Sequence, residues 1–392
     1  MTNKSSSKGI LTGAAFLMAT SAIGPGFITQ TTKFTAELQA SFGFVILVSV
    51  ALDIGAQLNI WRIVSVSRLY AQQLVNTVFP GAGLLLTCLI VIGGIAFNIG
   101  NIAGCGLGLQ VLFGFDVTTG ASISCIIAVL IFMVKEAGKA MDWFTKMLGF
   151  IMIALTVYVA FQSHPPVKEA LLKTMMPGKI NETIILTIVG GTVGGYISFA
   201  GAHRLLEAGI TGRENLRKVS ASSVTAIIIA AVMRIVLFLA ALGIVMQGIQ
   251  LNPHNPAATV FKSAAGIVGY KLFGLVLWSA AITSVIGSAF TSVSFMKTLH
   301  PFIMANFRYI IIGFIVFSTI VFLCIGQPVA VLIFAGGLNG LILPIALSLI
   351  LIASRNKNVM DGYMHPMRLQ VAGWIVVAAM SYMGAKGIIN LF

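Results

Sequence analysis

Acidic side chains are scarce in this chain. Ten Asp and Glu stand among 392 residues, against 24 Lys and Arg, and charged residues make up 9% of the sequence. A soluble domain carries about a quarter of its residues as charges, so this composition excludes one. Cysteine is rare too. Cys88, Cys105, Cys125 and Cys324 lie in apolar runs with no Cys-x-x-Cys spacing. That leaves no disulfide framework or thiolate zinc site, and they read as small buried hydrophobes. Of the five histidines, only His203 falls within an apolar span, near its end; His164, His254, His300 and His365 do not. No Ser/His/Asp or metal-hydrolase spacing occurs, and no Gly-x-x-x-x-Gly-Lys loop that would cradle a nucleotide. The chain is not expected to be an enzyme, to drive itself with ATP or to use a cofactor.

What remains is apolar. Hydrophobic residues make up 58%, and the mean hydropathy is +1.01. These values specify an all-α polytopic membrane protein. Eleven spans fit the hydropathy, at roughly 9–35, 41–61, 82–112, 119–137, 143–162, 183–208, 222–249, 268–296, 309–326, 328–353 and 369–390. The polar start, Met1 to Lys8, runs into the first span with no small-residue cleavage site, so the first span reads as a helix and not as a signal peptide. The net charge of +14 would suit nucleic acid, but its distribution points to the lipid bilayer as partner. Lys4, Lys8, Arg62, Arg213, Arg217 and Lys218 are among a clear excess of cations on one side; Lys33, Lys168, Lys179 and Lys386 represent the other. The positive-inside rule then sets the N-terminus in the cytoplasm and, after eleven crossings of the cell membrane, the C-terminus outside. A monomer or weak oligomer is expected, and no nucleic-acid partner.

Two spans are interrupted. One reads Ser21-Ala22-Ile23-Gly24-Pro25-Gly26-Phe27-Ile28-Thr29-Gln30 and the other Gly190-Gly191-Thr192-Val193-Gly194-Gly195-Tyr196-Ile197-Ser198. Backbone left unpaired in hydrocarbon costs several kcal/mol per group, so such breaks persist where they line a polar cavity or are buried in protein. They lie in the first and sixth spans. The polar, proline-bearing stretch His164 to Glu182 lies about midway. An odd number of helices per half inverts the second half, so 9–162 and 183–353 read as inverted repeats of a single transporter domain, with 369–390 added. Equivalent breaks in such repeats mark a substrate site near the bilayer midplane. Gly100, Gly104 and Gly108 in the third span have small-xxx-small spacing and read as close helix packing.

Several segments resemble the NRAMP family of divalent-metal transporters over nearly the whole chain. They are Gly13-Ala14-Ala15-Phe16, Ile23-Gly24-Pro25-Gly26-Phe27, Gly191-Thr192-Val193, Gly337-Leu338-Asn339 with Pro344, and Arg355-Asn356-Lys357-Asn358-Val359-Met360-Asp361-Gly362. The resemblance implies a LeuT-type fold and alternating access. The family's metal site uses Asp-Pro-Gly-Asn in helix one and Met-Pro-His in helix six. Here Gly24 and Phe27 stand at the aspartate and asparagine, and Gly194, Gly195 and Tyr196 replace Met-Pro-His. Asn98 and Asn101 replace an acidic pair tied in the family to proton transfer, and His203 is displaced from the second helix-six histidine.

A dehydrated divalent ion needs several hard oxygen or borderline ligands, usually with a carboxylate. Neither break supplies one. Helix N-termini at the breaks present partial positive charge that suits a carboxylate. The expected substrate site is therefore Gly24, Pro25, Gly26, Phe27, Gln30, Gly194, Gly195, Tyr196 and Ser198, holding a small organic solute such as an amino-acid derivative or short carboxylate, with H+ or Na+ coupling. A metal transporter with an atypical site, for Mg2+ or Mn2+, is the alternative; a channel or a sensor is the different-class reading. Asp53 and Arg234 are ionisable residues at membrane depth and so candidates for coupling or for a structural ion pair with each other. Asn98, Asn101, Ser284, Ser288 and Asn339 complete a polar network, either interhelical hydrogen bonding or a cation site.

Overall fold

The computed structural model describes residues 22–133, 137–297 and 299–389, with the backbone alone over 137–146. The polar N-terminal segment, the Gly13–Phe16 motif and Leu391-Phe392 lie outside the described residues. Among the described residues every regular element is helical: α1 Pro25–Leu38, α2 Phe42–Ser67, α3 Ala71–Asn76, α4 Ala82–Phe113, α5 Val117–Met133, α6 Ala137–Gln162, α7 Val167–Met175, α8 Glu182–Thr192, α9 Tyr196–Glu207, α10 Leu216–Met246, α11 Pro256–Met296, α12 Pro301–Ala305, α13 Phe307–Ile325, α14 Pro328–Ala353 and α15 Met367–Ile389.

Eight stretches among the described residues are long and apolar enough to cross a membrane. The first of them runs Pro25–Ser67 through α1 and α2. Met147–Gln162 and Val167–Met175, bent by 103°, make a ninth if taken together, and Val117–Met133 is a shorter apolar helix. With α1 and α2 taken separately, the described part of each of the eleven hydropathy segments falls mostly on one of these helices or on a helix pair.

Local chemistry sets the boundaries. Pro25, Pro256 and Pro328 open α1, α11 and α14, where a missing N–H costs nothing. Asn181 and Asn255 accept from the Ile184 and Ala258 N–H groups and cap α8 and α11. Gly114 and Gly326 close α4 and α13 in the left-handed conformation. Gly266, at φ 60 and ψ −158, kinks α11 two residues before the hydropathy span begins.

Two expectations need correction. The midway stretch 164–182 is not merely a polar linker, because it contains α7. Glu169 in its first turn and Lys173 in its last suit the helix dipole, and Gly178 N–H donates to Ser41 Oγ at the start of α2. Cys105 and Cys125 are buried, but Cys88 and Cys324 are exposed.

α4 packs along α11 and α14, while α10 packs along α2, and α1 touches both groups. At the end of the bundle carrying Arg62, polar contacts tie the loops down. Arg62 donates to Ser220 Oγ and Tyr363 Oη, Arg213 to the Asp361 carbonyl, and His365 Nε2 pairs with Asn59 Oδ1. Burial, with the Arg62 charge adding to it, pushes the His365 ring down to about 4, so it is neutral at physiological pH.

Candidate substrate site at the two helix breaks

Among the described residues the first break is confined to two positions. Ile23 and Gly24 are non-helical, and Gly24 is extended at φ −93, ψ −173 with no side-chain cap. Pro25 already begins α1, so Pro25, Gly26, Phe27 and Gln30 all lie within helix. Pro25 seats on α4 because Gly104 has no side chain: a Cβ there would sit 2.3 Å from the proline ring. Gln30 is fully buried. Its Nε2 donates to the Leu332 carbonyl on α14, while its Oε1 has no partner and faces Gly191.

The second break separates α8 from α9 at Val193, Gly194 and Gly195. Gly195 adopts φ 51, ψ −128, which L side chains rarely enter. Asn339 from α14 fills the gap. Its Nδ2 donates to the Gly93 and Ala335 carbonyls, and its Oδ1, without a partner, lies where a Gly195 Cβ would meet it at 1.6 Å. Ser198 Oγ donates to the Val193 carbonyl, and Trp61 Nε1 donates to the Ser198 carbonyl. Tyr196 is buried, its ring edge-on to Phe97. Gly194, Gly195 and Asn339 thus converge, whereas Ser198 spends its hydroxyl on closing the break.

Asp53 on α2 and Arg234 on α10 reach the same cavity. It holds about 10 Å3, roughly one water. Phe27, just past the first break, and Thr192, the last residue before the second, are on its wall. The Arg234 guanidinium lies 4.3 Å from the centroid of the Phe27 ring. Asp53 and Arg234 are 2% and 3% exposed. No ion pair within 4.0 Å joins them, in contrast to Lys386 and Glu182 at 2.8 Å. Asp53 Oδ1 and Arg234 Nε and Nη2 have no hydrogen-bond partner.

The remaining polar network is separate. Ser288 Oγ donates to Asn98 Oδ1 and Asn98 Nδ2 donates to Ser318 Oγ, linking α11, α4 and α13. Asn101 Nδ2 lacks a partner, and Ser284 is buried on α11. None of these five residues lines the cavity. His203 accepts from the Ala71 N–H and stacks on Phe295, which seats α3. Sequence reasoning missed Thr192, Trp61 and Ser318 as partners. Thr192 lies in the glycine-rich segment next to the break and is the most findable of the three. Among the described residues no group of three or more His, Cys, Asp or Glu could hold a metal ion.

The Natural resistance-associated macrophage protein-like (Nramp) family model matches residues 15–390. The uncharacterized membrane protein YcsG of Bacillus subtilis is 60% identical over 381 residues, covering 97% of this chain and 94% of that protein. Among solved structures, the manganese transporter of Eremococcus coleocola superposes with a TM-score of 0.76 at 15% identity, covering 99% of this chain and 88% of that one. MhsT in complex with L-phenylalanine superposes with a TM-score of 0.65 at 15% identity, covering 97% and 98%. These likenesses carry the LeuT-type fold. The chain belongs to the Nramp family and is a multi-pass membrane transporter with that fold.

Proposed function

We propose that this protein is a secondary active transporter for a small organic solute bearing a carboxylate, an amino-acid derivative or a short carboxylic acid. It works by alternating access across the cell membrane, coupled to H+ or Na+. Residues 9–162 and 183–353 act as the two inverted repeats, and their breaks frame the solute. One observation carries the substrate class: a buried, unpartnered Arg234 guanidinium opens into the cavity between the breaks. A carboxylate there gains charge-assisted hydrogen bonds in a low-dielectric setting. A divalent cation would face that guanidinium with Asp53 as the single carboxylate on the cavity wall. The likeness to MhsT, whose structure holds L-phenylalanine, supports an architecture that accepts an amino acid. The likeness to a manganese transporter favours the competing metal reading.

Uptake by purified protein in liposomes separates the two. Saturable uptake of a carboxylate or amino-acid derivative under an imposed proton or sodium gradient, with no Mn2+ or Mg2+ entry, is the expected result. Saturable Mn2+ or Mg2+ entry that Asp53→Asn abolishes, with no organic solute moved, replaces it with a relocated metal site.

A further inference from the structure

Arg234 and Asp53 are opposite charges, both more than nine-tenths buried, and they share one cavity without touching. A structural ion pair offsets its desolvation by direct contact and by satisfying the remaining donors and acceptors. This pair does neither. Arg234 Nε and Nη2 and Asp53 Oδ1 are all left without partners. The cavity they line lies beside both helix breaks: Phe27 is in the first turn of α1, just past the first break, and Thr192 is the last residue of α8, just before the second.

We propose that Arg234 and Asp53 are the two poles of a clamp that selects solutes carrying both a carboxylate and a nearby N–H donor, the α-amino acids and their N-substituted relatives. This rests on the solute-transport reading and narrows its substrate class. Arg234 takes the carboxylate. The guanidinium carbon sits over the Phe27 ring, 4.3 Å from its centroid, and the Nε and Nη2 hydrogens, without partners, are left to engage two carboxylate oxygens. Asp53 takes the N–H. A carboxylate alone would be pressed towards the Asp53 charge, and an amine alone towards Arg234; a solute with both groups leaves every charge paired. A zwitterion also brings no net charge into the membrane interior. The rest of the wall, with Ile46, Val50 and Ile227, suits a short apolar body. With room for about one water as it stands, the cavity must widen to admit a solute. Alternating access supplies that motion by moving helices against one another at the breaks.

The test is calorimetric titration of the purified full-length protein with matched probes. L-alanine and L-proline carry both groups; propionate and cyclopentanecarboxylate lack the N–H; ethylamine and pyrrolidine lack the carboxylate. At least one two-group probe is expected to bind about tenfold or more tighter than both of its single-group partners, the size of losing one charged hydrogen bond. Asp53→Asn is expected to narrow the gap to the carboxylate-only probe, and Arg234→Lys to weaken every carboxylate. Because either variant can fail to fold, the wild-type probe series decides alone. Propionate or cyclopentanecarboxylate binding as tightly as its amino-acid partner overturns the clamp but leaves the solute reading standing. Mn2+ binding with no organic probe bound overturns both.

Discussion

Gly195 and Gly24 are both break glycines, but their backbones make different demands. Gly24 is extended at φ −93, a conformation open to any residue. Gly195 sits at φ 51, ψ −128, and the Asn339 amide occupies the space of its missing side chain. A left-handed or otherwise Gly-only backbone costs an L residue about 1–3 kcal/mol, and displacing Asn339 strips the Gly93 carbonyl of its donor. Gly195→Ala should therefore cost the detergent-solubilised protein at least that much stability, read as a lowered thermal midpoint. Adding Asn339→Ala should recover part of the loss by removing the collision while leaving the backbone strain. If Gly195→Ala melts with the wild type, Asn339 does not plug the break as described.

The next scale is the seat of α1 on α4. Gly104 admits the Pro25 ring, and Ala281 of α11 lies behind it at 3.4 Å from the same point. Overpacking such a contact costs about 1–3 kcal/mol. Gly104→Leu is expected to push α1 outward, lowering both thermal stability and solute affinity. Gly149→Leu on α6, where a Cβ meets nothing within 4 Å, is the control and should melt like the wild type. Equal melting of the two variants would mean that α1 does not depend on this contact. The elements themselves were largely legible in the sequence, because a membrane helix must be continuous and apolar for its full length. The Gly-Pro and Gly-Gly clusters marked both breaks within a few residues. α3 and α7 were not legible: they are short and polar, and what holds them is distant in sequence, His203 for α3 and Ser41 with Gly43 beside α7. Nor did composition show which break residues face the cavity. Ser198 and Thr192 carry the same hydroxyl, but Ser198 closes the break while Thr192, whose Oγ1 donates to the Ile188 carbonyl, lines the cavity. Asp53 and Arg234 were legible as partners because acids are so few, but their separation across a cavity is a product of packing.

At the scale of the whole molecule, the family match fixes the architecture, and the site decides what crosses. The chain keeps two helix breaks, and among the described residues no group of three or more His, Cys, Asp or Glu could hold a metal ion. What architecture leaves open is direction. We propose, from the asymmetry of Lys and Arg, that the end carrying Arg62, Arg213 and Lys357 faces the cytoplasm and the α7 end, with Lys168 and Lys179, the outside. Lys179 and Lys357 are both exposed and lie in loops on these two ends, so each reports one side. In a variant with Cys88, Cys105, Cys125 and Cys324 replaced by Ala, Lys179→Cys should react with a membrane-impermeant maleimide in intact cells. Lys357→Cys should react only after permeabilisation. The reverse pattern would overturn the orientation and with it the sense of coupled transport, since an inward proton or sodium gradient would then be met by the opposite face of the cavity.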